Sequence, residues 1–395
     1  MAAPPPPPLP DKLPAVVSTP KTTTNEPVTI ANAIRPVMTR RIQMELQTKS
    51  KQSSLSESNE ILNTDSENKA ADIYDVASKW GEARKFTRSA SGSAGVFIVH
   101  FDTGLVVVKG SSSIGQEAFV AHLARKLNIT VPRCRIVEYC EAEWKELKHA
   151  LFRLARQQDS SDTLKVEKEL NRPNILIMEY VSGIELPALG PKAAEVFSGP
   201  SGANRLKEIG KIVALDIVTN NWDRLPIIWD HEGNPGNLFV QYNGNDGRIV
   251  GIDQGLTCIN QTVSKVGYDR YVDKIQKLIQ AILDKPTSET EGVKKVRELI
   301  ALFTGYDFGV QGSFWIQMGI LEGAVKFIGL SLEELDAMKK EISDWVRTDW
   351  ENVWLSMMKL IDTTFLFNMI SIFKSHEAKI REVLSKQDEL AKTIS

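Results

Sequence analysis

The sequence predicts an α+β fold of two lobes: a small mixed α/β lobe over residues 76–183, then a mainly helical lobe over 184–395. Three observations carry this. Short β-runs at 96–101, 105–109 and 175–181 are confined to the first stretch. Beyond residue 183 apolar residues recur at helical spacing, as in Met338, Ile342, Trp345 and Val346. Between the two patterns, residues 243–247 read Asn-Gly-Asn-Asp-Gly between two apolar runs, a strong hairpin signal.

Residues 1–75 read as a disordered tail rich in Pro, Ser and Thr, too polar to bury enough surface to offset its ordering entropy. Its proline run, Pro4 to Pro8, favours a polyproline II helix of the kind that SH3- or profilin-like partners bind; a solvated linker is the plainer reading. Nothing in the first ten residues resembles the apolar segment of a signal peptide. The most apolar later run, 365–373, is too short to span a bilayer, so no membrane span is expected. A net charge of −2 supplies no field for nucleic acid or an anionic membrane. Cys134, Cys140 and Cys258 have neither disulfide nor metal spacing and read as reduced thiols of a cytoplasmic protein.

In the small lobe, residues 84–88 form a first strand, followed by the small-residue loop 89–95 with Gly92, Ser93 and Gly95. Such a loop lets backbone N–H groups approach phosphate closely, although a plain turn has the same composition. Lys109 ends an otherwise apolar run, where its charge needs a partner or a route to solvent. Ser113 and Gln116 suggest a capping box opening a helix to about Leu127, with Glu117 in its first turn. Glu117 is placed either to pair with Lys109 or only to complement the helix dipole. A strand over 131–139, a charged helix over 141–157 and a polar excursion over 158–170 precede the apolar strand 175–181. That strand leads into a hinge, 177–183, where backbone groups of Glu179 and Val181 could meet a base edge.

The helical lobe opens with an apolar run, 209–218, that delivers Asp223 on a loop. Helices are expected over 205–218, 270–283, 289–304 and 314–327, and through a long tract from Ser331 to about Leu390. Ser331 and Glu334 form a second capping-box signal, and Trp345, Trp350 and Trp354 are expected in the core. Asn237 and Asp253 are equidistant from a hairpin turn centred on Asn245 and are expected to face each other, about 5 Å apart. Aspartate, asparagine and aspartate in this order match the base and two metal ligands of a phosphoryl-transfer site. Asn, Asp and Gly are also turn formers, so the same stretch reads as two loops and a hairpin.

Lys109, Glu117, the 177–183 hinge, Asn221-Trp-Asp-Arg-Leu-Pro226, Gly233-Asn-Pro-Gly-Asn-Leu238 and Gly251-Ile-Asp-Gln-Gly255 together resemble the catalytic domain of actin-fragmin kinase, an atypical protein kinase family. The plant tubulin kinase–phosphatase of the propyzamide-hypersensitive type carries a similar domain. The resemblance covers roughly residues 76 to 385. It implies a two-lobed protein-kinase-like fold, ATP and Mg²⁺ as cofactors, and Asp223 as catalytic base with Arg224 beside it. It further implies Asn237 and Asp253 as metal ligands, Lys109 on the α/β-phosphates, and Asn234 as a weaker member of the site. The expected activity is a Ser/Thr protein kinase acting on actin, an actin-severing-protein complex or another cytoskeletal protein. Alternatives are a phosphoinositide-like lipid or small-molecule kinase, and a pseudokinase scaffold. The chain departs from ordinary protein kinases in three ways. Asp223 and Asn237 are unusually far apart, Asp253-Gln-Gly255 replaces Asp-Phe-Gly, and no Ala-Pro-Glu is evident. The Kelch propeller that follows the catalytic domain in actin-fragmin kinase is not recognised here.

Overall fold

The computed structural model describes residues 69–88, 95–158, 160–241 and 247–394. The proline run, Gly92, Ser93 and the hairpin tip lie outside the described residues. Packed structure begins near Ala71, where order is expected to start although the lobe is bounded at 76: Ala71 and Ile73 are core residues, and Lys69 and Ala71 bond to Leu105.

Five antiparallel strands form the first sheet, in the order β1-β2-β3-β5-β4: β1 Lys85–Arg88, β2 Val96–Phe101, β3 Gly104–Lys109, β4 Cys134–Glu138 and β5 Asn174–Glu179. Alternation along each strand sends successive side chains to opposite faces. Val106, Val108, Ile175 and Ile177 join Trp80 and Phe97 in one cluster, closed by α2 (Ala142–Gln158) and α3 (Ser160–Leu170). Leu176 and Met178 face the other way, onto α1 (Ile114–Lys126). The expected polar excursion at 158–170 is therefore largely the helix α3. Val166 and Leu170 are fully buried under the sheet, and that burial outweighs the polar composition.

The α1 helix forms where expected, but without its capping box. The Ser113 side chain makes no cap bond; its hydroxyl pairs with that of Ser111 instead. By contrast Ser331 forms the full box with Glu334.

After β5 the chain crosses to a second, three-stranded sheet, β6-β7-β8: β6 Ile184–Glu185, β7 Leu238–Gln241 and β8 Arg248–Gly251. Gly183 makes this crossing possible. Its φ is +155°, and a Cβ there would lie 2.6 Å from the Val240 carbonyl oxygen. The β7–β8 hairpin pairs Leu238 with Gly251, one residue out of the expected register. Asn237 consequently opposes Ile252, whose N–H donates to the Asn237 carbonyl at 2.9 Å. Asp253 follows the strand with φ at +55°, so the backbone turns away from the sheet there.

The helical part runs α4 (Lys192–Phe197), α5 (Gly199–Thr219), α6 (Lys265–Asp284), α7 (Glu291–Thr304), α8 (Gly309–Ile328), α9 (Leu332–Ser343), α10 (Val353–Lys359), α11 (Thr363–Ser375), α12 (Glu377–Ser385) and α13 (Gln387–Lys392). Its centre is the α5–α8 pair. The stretch 350–375 is long and apolar enough to cross a membrane, but it is broken at 360–362 and half buried. Its side chains Trp354, Phe365, Leu366 and Phe373 belong to the core. Of the three tryptophans expected inside, Trp354 is buried, Trp345 is half-buried, and Trp350 is 48% exposed with its ring edge-on to Tyr139.

The α5–α8 crossing depends on glycine. A Cβ on Gly319 would sit 2.1 Å from the Lys207 carbonyl oxygen, and one on Gly210 2.2 Å from that of Ile316. Both contacts are with backbone, which cannot swing aside. Gly319→Ala should therefore destabilise the fold by about 1–3 kcal/mol despite the better helix propensity of alanine. Urea unfolding monitored by tryptophan fluorescence checks this; an unchanged midpoint would mean the helices can separate freely.

Candidate functional site

Three chain segments meet below the first sheet. Lys109, from the end of β3, points towards α1. Its Nζ lies 2.8 Å from a Glu117 carboxylate oxygen and 2.6 Å from Asp253 Oδ1. The lysine and glutamate side chains are nearly buried, whereas Asp253 is 51% exposed. Burial works against the lysine charge, but Glu117 and Asp253 outweigh it and hold Lys109 above the ordinary lysine range. Burial raises the Glu117 carboxyl, and Lys109 opposes that shift. The result is a cation with one carboxylate behind it in the core and one in front of it at the surface.

The second group lies on the loop after α5. Asp223 is exposed, and its Oδ2 accepts a hydrogen bond from the Asn237 amide at 3.1 Å. Asn237 Oδ1 in turn accepts from Asn234 at 3.2 Å. Asn237 itself is buried, fixed at the start of β7 by the bond from Ile252. Because Ile252 precedes Asp253, the backbone ties the two groups together. Glu185 approaches the same edge, its carboxylate 3.6 Å from where a Cβ on Gly236 would be, and burial raises its pKa.

Arg224 differs from expectation. It does not project beside Asp223 but is fully buried and turned inward. It pairs with Asp216 in α5 and donates to the Ile252 carbonyl at 2.8 Å and to Gln254 Oε1 at 3.0 Å. Asn221 adds a bond to Asp216 at 3.0 Å, and the Arg224 carbonyl accepts from the Asn234 N–H at 3.0 Å. Arg224 therefore positions the segments that carry Asp223, Asn234 and Asp253. Asp216 was missed by the sequence reading, although a signal was present: an aspartate inside an apolar helical run needs a partner. His231 was missed as well. Its Nδ1 accepts from the Gly233 N–H at 2.9 Å, its ring lies against the exposed Trp222, and burial lowers its pKa against the pull of Asp223 and Asp230.

Glu179 ends β5, but its carboxylate pairs with Arg133 and its N–H donates to the Arg133 carbonyl. Val181 is buried beyond the strand. Gly95 is buried against Glu169, whose Cγ would be 2.3 Å from an added Cβ.

Asp253 and Asn237 Oδ1 offer hard oxygen donors, the chemistry that suits Mg²⁺. Among the described residues no three His, Cys, Asp or Glu converge closely enough to hold an ion by themselves. Such a donor set fits a magnesium ion held by one or two side chains and completed by phosphate oxygens and water, and does not fit a closed protein cage.

Comparison with known proteins gives a consistent result. The family described as actin-fragmin kinase, catalytic, matches residues 56–324, more than half of the chain. A protein of Dictyostelium discoideum named a putative actin-fragmin kinase is 27% identical over 303 residues, covering 74% of this chain and 72% of the relative. A second of the same name and organism is 23% identical over 289 residues, 71% of this chain and 66% of the relative. A dual specificity protein phosphatase of Arabidopsis thaliana is 31% identical over 150 residues, 34% of this chain and 15% of the relative.

The Arg224–Asp216 pair makes a prediction about stability. Removing one member of a buried pair strands the other, so Arg224→Met should cost about 3–5 kcal/mol. Burial pushes Asp216 up to about 6 from its ordinary 3.8, with Arg224 and Asn221 opposing. The folded state thus holds this proton more tightly than the unfolded chain does. The group's contribution is fully present below about pH 4 and lost as pH rises through about 6. Unfolding free energies measured from pH 4 to 8 should lose that component of their slope in Asp216→Asn; an unchanged slope would assign the titration to another group.

Proposed function

This chain belongs to the actin-fragmin kinase catalytic family, and from that premise we propose that it is an ATP-dependent Ser/Thr protein kinase acting on actin or another cytoskeletal protein. Family membership itself supports an atypical protein kinase of mixed α+β fold. The two-lobed arrangement, the acceptor and the roles of individual residues are our reading. The observation that carries it is the bridge from Glu117 through Lys109 to Asp253, 144 residues beyond the lysine in the chain. The exposed carboxylate of Asp223 stands on the neighbouring loop.

In this reading Lys109 exchanges its contact with Asp253 for the α/β-phosphates of ATP while Glu117 keeps it oriented. Asp223 orients the acceptor hydroxyl and takes its proton. Asn237 holds Asp223 by the hydrogen bond its side-chain amide already donates, and its side-chain carbonyl oxygen together with Asp253 would hold Mg²⁺. That ion, when bound, neutralises charge on the phosphates. Backbone groups of Glu179 and Val181 would meet the base, and those of Gly92, Ser93 and Gly95 the phosphates. The proline run would bind an SH3- or profilin-like partner, with the cytoplasm, beside the cytoskeleton, as the working compartment.

Substitutions separate the roles. Asp223→Asn should retain MgATP binding, because its nucleotide contacts come from other residues, and lose about 10²–10⁴-fold in transfer. Asp253→Asn should weaken the Mg²⁺-dependent part of nucleotide binding, since a neutral amide is a poor match for a hard cation. Lys109→Met should impair nucleotide positioning. Calorimetric ATP titration with and without Mg²⁺, beside single-turnover transfer to an actin-rich mixture, measures all three. Loss of MgATP binding in Asp223→Asn with an intact Asp253→Asn would reverse the assignment. Labelling of phosphoinositide and of no protein would replace the protein-kinase reading with the lipid-kinase one.

A further inference from the structure

The Lys109–Glu117 pair depends on where α1 sits, and α1 is held from two sides. One side is the sheet, through β4 and β5; the other is α9 and α10. The second contact is close. A Cβ on Gly115, two residues before Glu117, would lie 2.6 Å from Met358 Cε and 2.9 Å from Met357 Cβ, with the Trp354 ring at 3.5 Å. Further along α1, His122 Nε2 lies 3.2 Å from a Glu341 carboxylate oxygen, and its ring is edge-on to Trp345. At the end of β4 the buried Glu138 carboxylate accepts the N–H groups of Arg347 at 2.6 Å and Thr348 at 2.9 Å. Charge-assisted bonds to backbone N–H groups are among the stronger kind. They tie the α9–α10 connection to the sheet that carries Lys109. Every one of these partners lies beyond residue 324, where the match to the family ends.

We propose that residues 332–359 act as an internal strut that holds α1, and with it Glu117, in place against Lys109. The nucleotide-positioning pair is then set by a segment of the same chain. Gly115, Glu138, Trp354, Met357 and Met358 are positioning residues acting through α1 and Glu117. This inference rests on the kinase reading above for its effect on catalysis. The geometry it requires is independent of that reading.

The full chain tests it. Valine is a better helix former than glycine, so Gly115→Val acts by pushing α10 off α1, not by weakening the helix. We expect faster hydrogen exchange in residues 114–126, a higher KM for ATP and a fall in kcat of roughly 10–100-fold, the scale set by small misplacements of reacting groups. Met358→Ala in the Gly115→Val background makes room and should recover part of the loss. Glu138→Gln, which keeps the shape but not the charge, should produce a smaller change of the same kind. Ile300→Ala serves as control: it empties a core site on α7, which packs mainly on residues 186–188 and on α8. It should lower Tm while leaving kcat and KM unchanged below the transition. Unchanged exchange in α1 and unchanged kcat in Gly115→Val would overturn the strut. So would an equal kinetic loss in Ile300→Ala. If the wild type transferred phosphate to no acceptor, the kinase reading would fall, while exchange in α1 would still decide the strut.

Discussion

The buried pair between Arg224 and Asp216 is the contact on which the rest of the site depends. A guanidinium with no exposed surface joins the end of α5, the loop that carries Asp223, and the turn that carries Asp253. Taking two charges out of water is unfavourable, and each further hydrogen bond offsets part of that cost. Here the guanidinium reaches a backbone carbonyl and a glutamine as well as the aspartate, while Arg224 Nε and Asp216 Oδ2 are buried with no hydrogen-bond partner among the described residues. Gln254 passes its own amide on to the Gly251 carbonyl at 2.7 Å. The positive φ of Asp253 is held from both sides by this network. Residues in sparsely populated backbone regions persist only where their surroundings over-determine them.

From that anchor the polar groups spread outward in order of exposure. Arg224 and Asp216 are sealed inside. Lys109 and Glu117 are nearly buried, with their charges matched. Asp253 and Asp223 reach solvent. A phosphate-handling site needs this gradient, because its cation must stay charged when buried while its carboxylates stay accessible to substrate and metal. The glycine crossing of α5 on α8 supports the arrangement from below by fixing the helix from which Asp216 projects.

Local sequence signals led to different outcomes for definable reasons. β2 was readable because it is a β-branched and aromatic run followed by the short turn at 102–104. The α3 helix was not, because its composition is polar and only Val166 and Leu170 reveal its buried face. The Ser113 capping box has the right residues, but Ser111 competes for the hydroxyl. The hairpin was identified, but its register was displaced by one, since the turn residues did not determine which residue opposes which. That displacement put Ile252, not Asp253, opposite Asn237.

The family of this protein was legible in its sequence, because the motifs around Lys109, Glu117, Asp223, Asn237 and Asp253 occur together and in order. The residue types alone matched a phosphoryl-transfer reading but equally two loops and a hairpin. Only the tertiary structure could decide which charges reach solvent and which face the core. Arg224 and Asp223 are neighbours in the chain, yet one is buried and the other exposed. Their directions depend on partners at residues 216, 252 and 254, and no local pattern encodes contacts at that separation. The same holds for α1, whose second face is covered by helices more than two hundred residues away.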